Sequence, residues 1–313
     1  MSLRVASFCA LALLAVVLAV PARPVEACAG IGRQGPVFVR GEEALIAWDE
    51  ARHVEHFVRR AFFEGVSEDF GFLVPTPSRP ELAEVSSRLF ADLFTLYRMP
   101  PRRSGGRSRS ASSGAQASAA EPSVVLLEER TVAGMDAAVL AANDPQALDG
   151  WLRTHGYPNG GPLTAYLAPY VASGWIVTAF RIAPGALGRD RFSSAAVRMS
   201  FATDRPFFPY SEPQLDAVAR RFRVSVASSQ RMRAFLDRPA GGARAEWIAA
   251  SYAGRPAGLP RVLRPALPLS VSVGPWLTTF DERASRRGTL DLFFEPDPQQ
   301  RGRSSSISTQ IRP

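Results

Sequence analysis

Apolar residues recur along this chain with two periods, one of two residues and one of three to four, and turn-forming clusters separate the runs. Glu43–Trp48 and His53–Phe63 read as two strands joined by a turn at Asp49–Arg52. Asp69–Val74 reads as a third strand, stopped by Pro75 and Pro77. Leu82, Val85, Leu89, Leu93 and Leu96 make a stripe that predicts a helix over Glu81–Tyr97, started by Ser78 or Pro80. Further on, Val124–Arg130 and Ala137–Ala141 pair around Gly134. Asp144 caps a helix with Pro145 at its first position, Leu148, Trp151 and Leu152 on its buried side and Gly156 past its end. A second helix covers Leu163 to Ala172, is kinked or divided by Pro169 and closes at Gly174. Trp175–Ile182 is a strand, and so is Ala196–Phe201, with Val197, Met199 and Phe201 inward and Arg198 and Ser200 outward. Asp216–Arg221 reads as helical. Phe222, Val224 and Val226, then Leu269, Val271 and Val273, then Leu290–Phe294 mark the last strands. Strands outnumber helices, and many alternate. The expected class is α+β: mainly antiparallel β-sheets with a few packed helices and a flexible Arg/Ser/Gly-rich internal loop.

The first 27 residues do not fit that pattern. Arg4 precedes a run from Val5 to Val20 without a charge, and Val25-Glu26-Ala27 resembles a cleavage site. This is the layout of a secretory signal peptide, 1–27. Its apolar run is shorter than the roughly 20 residues of a spanning helix, and no transmembrane helix is expected in the mature chain. The expected location is exported: periplasmic, extracellular or lipid-anchored at Cys28. Residues 99–122, rich in Pro, Arg, Ser, Gly and Ala, are expected to be a disordered linker, and 299–313 a disordered tail. Residues 28–98 and 123–298 would then form one composite domain.

Charge adds less than its total suggests. The chain carries 37 Lys+Arg against 29 Asp+Glu, a net charge of +8, and every basic residue is arginine. Eight of those arginines lie between positions 98 and 109 or in the tail. The remainder is close to neutral, so no nucleic-acid partner is expected. Cys9 leaves with the signal peptide and Cys28 alone remains, so no disulfide can form within one mature chain.

The local motifs are weak. Gly30-Ile31-Gly32-Arg33-Gln34-Gly35 matches a dinucleotide fingerprint by letters, but no strand precedes it and Pro36 follows it. His53-Val54-Glu55-His56 gathers two of three histidines, yet on a strand His53 and Glu55 face away from His56. The pairs Asp49-Glu50 and Glu68-Asp69 read as solvated turn charge. No metal site and no cofactor is expected. The least generic segments are Phe70-Gly71-Phe72-Leu73-Val74-Pro75-Thr76-Pro77 and Arg205-Pro206-Phe207-Phe208-Pro209-Tyr210. Their rings either cap the core at sheet ends or form an exposed recognition surface, with Phe70, Phe72, Phe207 and Tyr210 as its candidates.

The stretch from Glu68 to Ser78 resembles the signature of a bacterial family catalogued as domain of unknown function 2330. Ala27-Cys28-Ala29-Gly30, Trp276-Leu277-Thr278-Thr279-Phe280 and Asp291-Leu292-Phe293-Phe294 resemble the family's start and end. The resemblance covers most of residues 28–295. It implies export and transfers no catalytic residue. The function is therefore left unknown within a class: an exported, non-catalytic binding or structural module of the bacterial envelope, with an unidentified envelope protein or surface ligand as partner. The alternative is an exported hydrolase-type enzyme using His53/Glu55 or His155.

Overall fold

A computed structural model describes residues 31–32, 37–65, 70–98, 123–157, 161–182, 191–193, 196–211, 220–284 and 288–299. The expected signal peptide, Cys28, the segment 99–122, Glu68-Asp69 and all but the first residue of the tail lie outside them. Three sheets, almost wholly antiparallel, make up the fold, with four short helices against them. The α+β class is therefore the observed one.

The first sheet runs in the order β1 (Ile31–Gly32), β4 (Phe70–Thr76), β8 (Ile176–Ile182), β7 (Met135–Ala142), β6 (Val124–Val132). The central sheet runs β15 (Tyr252–Gly254), β16 (Trp276–Ala284), β12 (Arg220–Ser228), β2 (Val37–Asp49), β3 (Val54–Gly65), β10 (Ala196–Ala202), β5 (Glu81–Val85), and β9 (Arg191–Ser193) also joins β3. The third runs β11 (Phe207–Phe208), β17 (Asp291–Pro296), β13 (Met232–Asp237), β14 (Ala245–Glu246). The only parallel pairing among the described strands is β12 on β2 in the central sheet, with Val224 opposite Ala44.

One continuous core joins all three sheets, with Ile46, Phe57, Val139, Phe180, Phe280 and Phe294 among its members. Helices α2 (Pro145–Thr154) and α3 (Gly161–Ala172) add Leu148, Leu152, Leu163 and Leu167 to it. A second core lies on the other face of the central sheet. There α1 (Arg88–Arg98) and α4 (Leu259–Leu263) set Leu89, Leu93, Leu259 and Leu263 against Leu45, Val58 and Leu277. Both faces of β2 are thus covered, and every residue from Ala44 to Trp48 is buried.

Several expectations hold in detail. Asp144 caps α2 by accepting the Ala147 N–H at 2.6 Å. Gly174, at φ 69°, ends α3, and the Trp175 N–H reaches back to the Tyr170 carbonyl, as in a Schellman closure. Ala133 and Gly134, both at positive φ, make the two-residue turn between β6 and β7.

Others need correction. Glu81–Val85 is an edge strand, not the start of a helix. Pro80 favours an extended entry, and pairing with β10 overrides the helical spacing of Leu82 and Val85. The helix starts only after Ser86, whose hydroxyl accepts the Arg88 N–H. Pro75 does not stop β4, which continues to Thr76. Pro75 stands opposite Val177 one residue from the end of the strand, where its fixed φ is compatible with an extended backbone. Pro169 does not divide α3: it and Ala165, one turn earlier, both lie on the exposed side of the helix, where a lost backbone hydrogen bond is cheapest. Arg220 and Arg221 open β12 and are not helical; the rest of 216–221 lies outside the described residues. Leu269, Val271 and Val273 lie in a loop, with Leu269 exposed. Strand β13, which the pattern did not predict, pairs with β17 in the third sheet.

Strands from before position 99 pair directly with strands from after 122: β2 with β12, β3 with β10, β4 with β8. Cleavage of the chain within 99–122 should therefore leave two fragments that co-migrate on native size exclusion. Separate elution of two folded pieces would refute the composite arrangement. Gly71 faces a tighter constraint. A Cβ there would lie 2.8 Å from the Phe180 carbonyl and 3.0 Å from the Tyr157 ring. Gly71→Ala should lower unfolding stability by about 1–3 kcal/mol, as overpacking does; a change below about 0.5 kcal/mol in urea titrations would show that the contact yields.

Candidate functional site

The polar residues that could carry chemistry sit where the β2–β3 hairpin meets the other sheets. Strand alternation sends Glu55, Phe57 and Arg59 to the main core and His56, Val58 and Arg60 towards the helices. Each then meets a different fate.

Glu55 is fully buried. Its Oε2 accepts the Phe207 backbone N–H at 2.8 Å, and its Oε1 has no partner. Burial pushes this carboxyl well above the usual range, and the Phe207 hydrogen bond only partly opposes that. Asp291, on β17, is also fully buried. It accepts the Tyr170 hydroxyl at 2.8 and 3.0 Å and the Ser211 N–H at 2.9 Å. Burial raises it to about 7 against the pull of those donors. The Tyr170 phenol is itself raised, by burial first and by the neighbouring Tyr166 and Asp291 next.

His56 lies on the other face. Its Nδ1 is 2.9 Å from the Ser200 hydroxyl and its Nε2 has no partner. Burial lowers it to about 4, helped by Arg198. A serine hydroxyl on an imidazole is the first half of a nucleophile–base pair. Here both residues are buried, and the imidazole is too weak a base for work near neutrality. Asp49 is near enough to act on the imidazole's charge, but its carboxylate holds the turn by accepting the Arg52 N–H and guanidinium. Asp49 is buried, so it is not the solvated turn charge expected for it, and Glu50 accepts the Ser229 hydroxyl.

The remaining ions brace the sheets. Glu42 and Arg59 form a buried pair, and the Arg59 guanidinium lies 4.8 Å over the Phe72 ring. Beneath α1, Arg60, Glu43, Arg223 and Asp281 form a chain of ion pairs across four strands. Arg60 stacks on Phe90 and Arg223 on Phe94, so this chain also seats the helix. Burial works to raise Asp281, yet hydrogen bonds from Arg221 and Arg223 outweigh it and hold the carboxyl below its usual range.

The residues singled out from sequence are not brought together. His53 does not open β3: it stands in the turn at φ 53°, exposed, edge-on to Trp48. Glu55 is in the core, and His155 is exposed at the end of α2, stacked on Trp151 at 3.8 Å. Neither His53/Glu55 nor His155 therefore forms a catalytic pair. Phe72, Phe207 and Tyr210 are core residues rather than an exposed aromatic surface. Phe72 stacks between Phe63 and Phe180, and Phe207 meets Trp175 and Phe293. The backbone of Phe70 pairs with Gly32 and Ile182. Among the described residues, no group of three or more His, Cys, Asp or Glu could hold a metal ion, and no helix is long and apolar enough to cross a membrane.

Asp291, Tyr170 and Ser200 were not legible as site residues. The one available signal was a lone acid in the run Leu290-Asp291-Leu292-Phe293-Phe294. Tyr170 and Asp291 are 121 residues apart in the chain, and His56 and Ser200 are 144 apart.

The folded imidazole of His56 stays neutral to about pH 4, whereas an unfolded one titrates near 6.5. Its contribution is complete above the unfolded value and is lost as pH falls through the folded one. The stability advantage of wild type over His56→Gln should shrink between about pH 7 and pH 4.5 in urea titrations. A constant advantage would show that the buried state of His56 is not coupled to folding.

Comparison with known proteins places this chain. The model of a family described as "Uncharacterized protein conserved in bacteria (DUF2330)" matches residues 24–286. No curated protein matches the chain in sequence. Among solved structures, baculovirus P35 aligns at 7% identity over 83% of this chain and 97% of its own, with a TM-score of 0.38. The chain belongs to the DUF2330 family.

Proposed function

We propose that this DUF2330 member is exported and serves the bacterial envelope as a non-catalytic binding or structural module, with an envelope protein or surface ligand as its partner. The inward placement of its displaced ionisable groups supports the non-catalytic part. Glu55, Asp291 and His56 are all displaced from their ordinary values, and all three are buried, with partners drawn from the backbone and hydroxyls of the fold itself. Groups tuned for catalysis face a reacting centre in a cleft; these fasten strands to segments. The N-terminal pattern of positive start, apolar run and small-residue exit supports export.

Fractionation of the native host tests the reading. The protein should appear outside the cytoplasm, with an intact mass starting at or near Cys28, and in-cell cross-linking should capture an envelope component. A diacylglyceryl increment on Cys28 would identify the lipid-anchored form. Recovery from the cytoplasm with Met1 or Ser2 at the N-terminus would overturn it.

A further inference from the structure

The aromatic–proline segment 206–211 is fastened in an unusual way. Its middle pairs with β17, Phe207 opposite Phe293 and Phe208 opposite Leu292, and the Pro206 carbonyl accepts the Phe294 N–H. Its two ends are held by side-chain carboxyls instead. Glu55 of β3 takes the Phe207 N–H at 2.8 Å, and Asp291 of β17 takes the Ser211 N–H at 2.9 Å. Pro206 and Pro209 have no N–H to offer a strand, so these end contacts carry much of the attachment.

Among the described residues, neither carboxyl faces a cation. The cross-strand neighbours of Glu55 are Trp48 on β2 and Phe201 on β10. His56, next in sequence, points to the opposite face and bonds Ser200. Asp291 faces Tyr170 and Tyr166 of α3 and stands opposite Asp237 on β13. Asp237 is itself engaged by Arg205 and by the N–H groups of Arg238 and Ala243. A carboxyl withdrawn from water with no counter-charge favours its neutral form. If the segment lifts, water reaches both carboxyls and they regain ordinary acidity.

We propose that residues 206–211 form an acid-closed latch: protonation of Glu55 and Asp291 tightens it, and their ionisation loosens it, so that Phe207, Phe208 and Tyr210 leave the core more often at neutral than at acid pH. The sign follows from proton counting. The closed form binds more protons than the open one between the ordinary carboxyl value of 3.8 and about 7 for Asp291. The closed form is therefore favoured most below that range, loses ground as pH rises through it, and changes little above it. The high acidity threshold of Glu55 acts in the same direction. The inference concerns the fold alone and is independent of the envelope role.

Hydrogen exchange on the full chain tests it. Protection factors for the Phe207, Phe208, Tyr210 and Ser211 amides, corrected for intrinsic rates, should fall on the order of tenfold to a hundredfold from about pH 5 to pH 8. Amides of Ile46, Val139 and Val226 should not follow. In Asp291→Asn and Glu55→Gln the fall should flatten. Should those variants fail to fold, infrared spectra of the wild type provide the second reading: a protonated carboxyl carbonyl band should persist above about pH 6 and weaken towards pH 8 as Asp291 ionises. Equal protection at the two pH values, a parallel loss across the core amides, or absence of that band would each overturn the latch.

Discussion

From Ala44 to Trp48 and from Glu55 to Arg59 the β2–β3 hairpin has no wet face, and most of the structure answers to that. The main core covers one side and the helices α1 and α4 cover the other. Polar residues on these strands cannot turn to water for hydrogen bonds, so each must find a partner inside the fold. Arg59 finds Glu42, Arg60 finds Glu43, His56 finds Ser200, and Glu55 finds the backbone of a segment from another sheet. An apolar hairpin would pack as well. The polar version fixes which strand, which register and which loop lies beside it, because a wrong neighbour would leave a buried group unsatisfied at a cost of about 1–3 kcal/mol.

The aromatic–proline signature gains a physical reading from the same constraint. In Phe70-Gly71-Phe72, the glycine lets the Phe180 backbone and the Tyr157 ring approach, and Phe72 becomes the middle of a three-ring stack topped by Arg59. In Pro206-Phe207-Phe208-Pro209, the prolines keep the segment from extending as a strand, while the two rings fill the space where the three sheets converge. Both segments mark junctions between sheets. That explains why the signature is buried from Gly71 to Thr76.

How much of this could be read from sequence depended on how local each signal was. The cap at Asp144, the turn at Ala133-Gly134 and the closure at Gly174 are short-range and were legible. The period of Leu82 and Val85 misled, because an edge strand contacts the core unevenly and its burial need not alternate. Leu269, Val271 and Val273 misled for the opposite reason: alternation is a consequence of pairing, and nothing pairs with that loop. The site was hardest. Glu55 and His56 could be noticed as polar residues in an apolar run, but their partners, Phe207 and Ser200, depend on which strands become neighbours. No spacing along the chain encodes that choice.

The parallel pairing of β12 on β2 has a kinetic meaning. β2 is the middle of the central sheet, yet its neighbour on one side comes from Arg220–Ser228. The ends of so long a stretch must meet before that pairing yields any stabilisation, and pairings of this kind fold slowly. A nascent chain that has emerged only as far as β8 holds the hairpin with both outer edges bare. It lacks both β10 and β12, and with them most of the surface that would bury Ile46 and Phe57. Such a chain cannot complete the central sheet around β2 until Arg220–Ser228 has emerged.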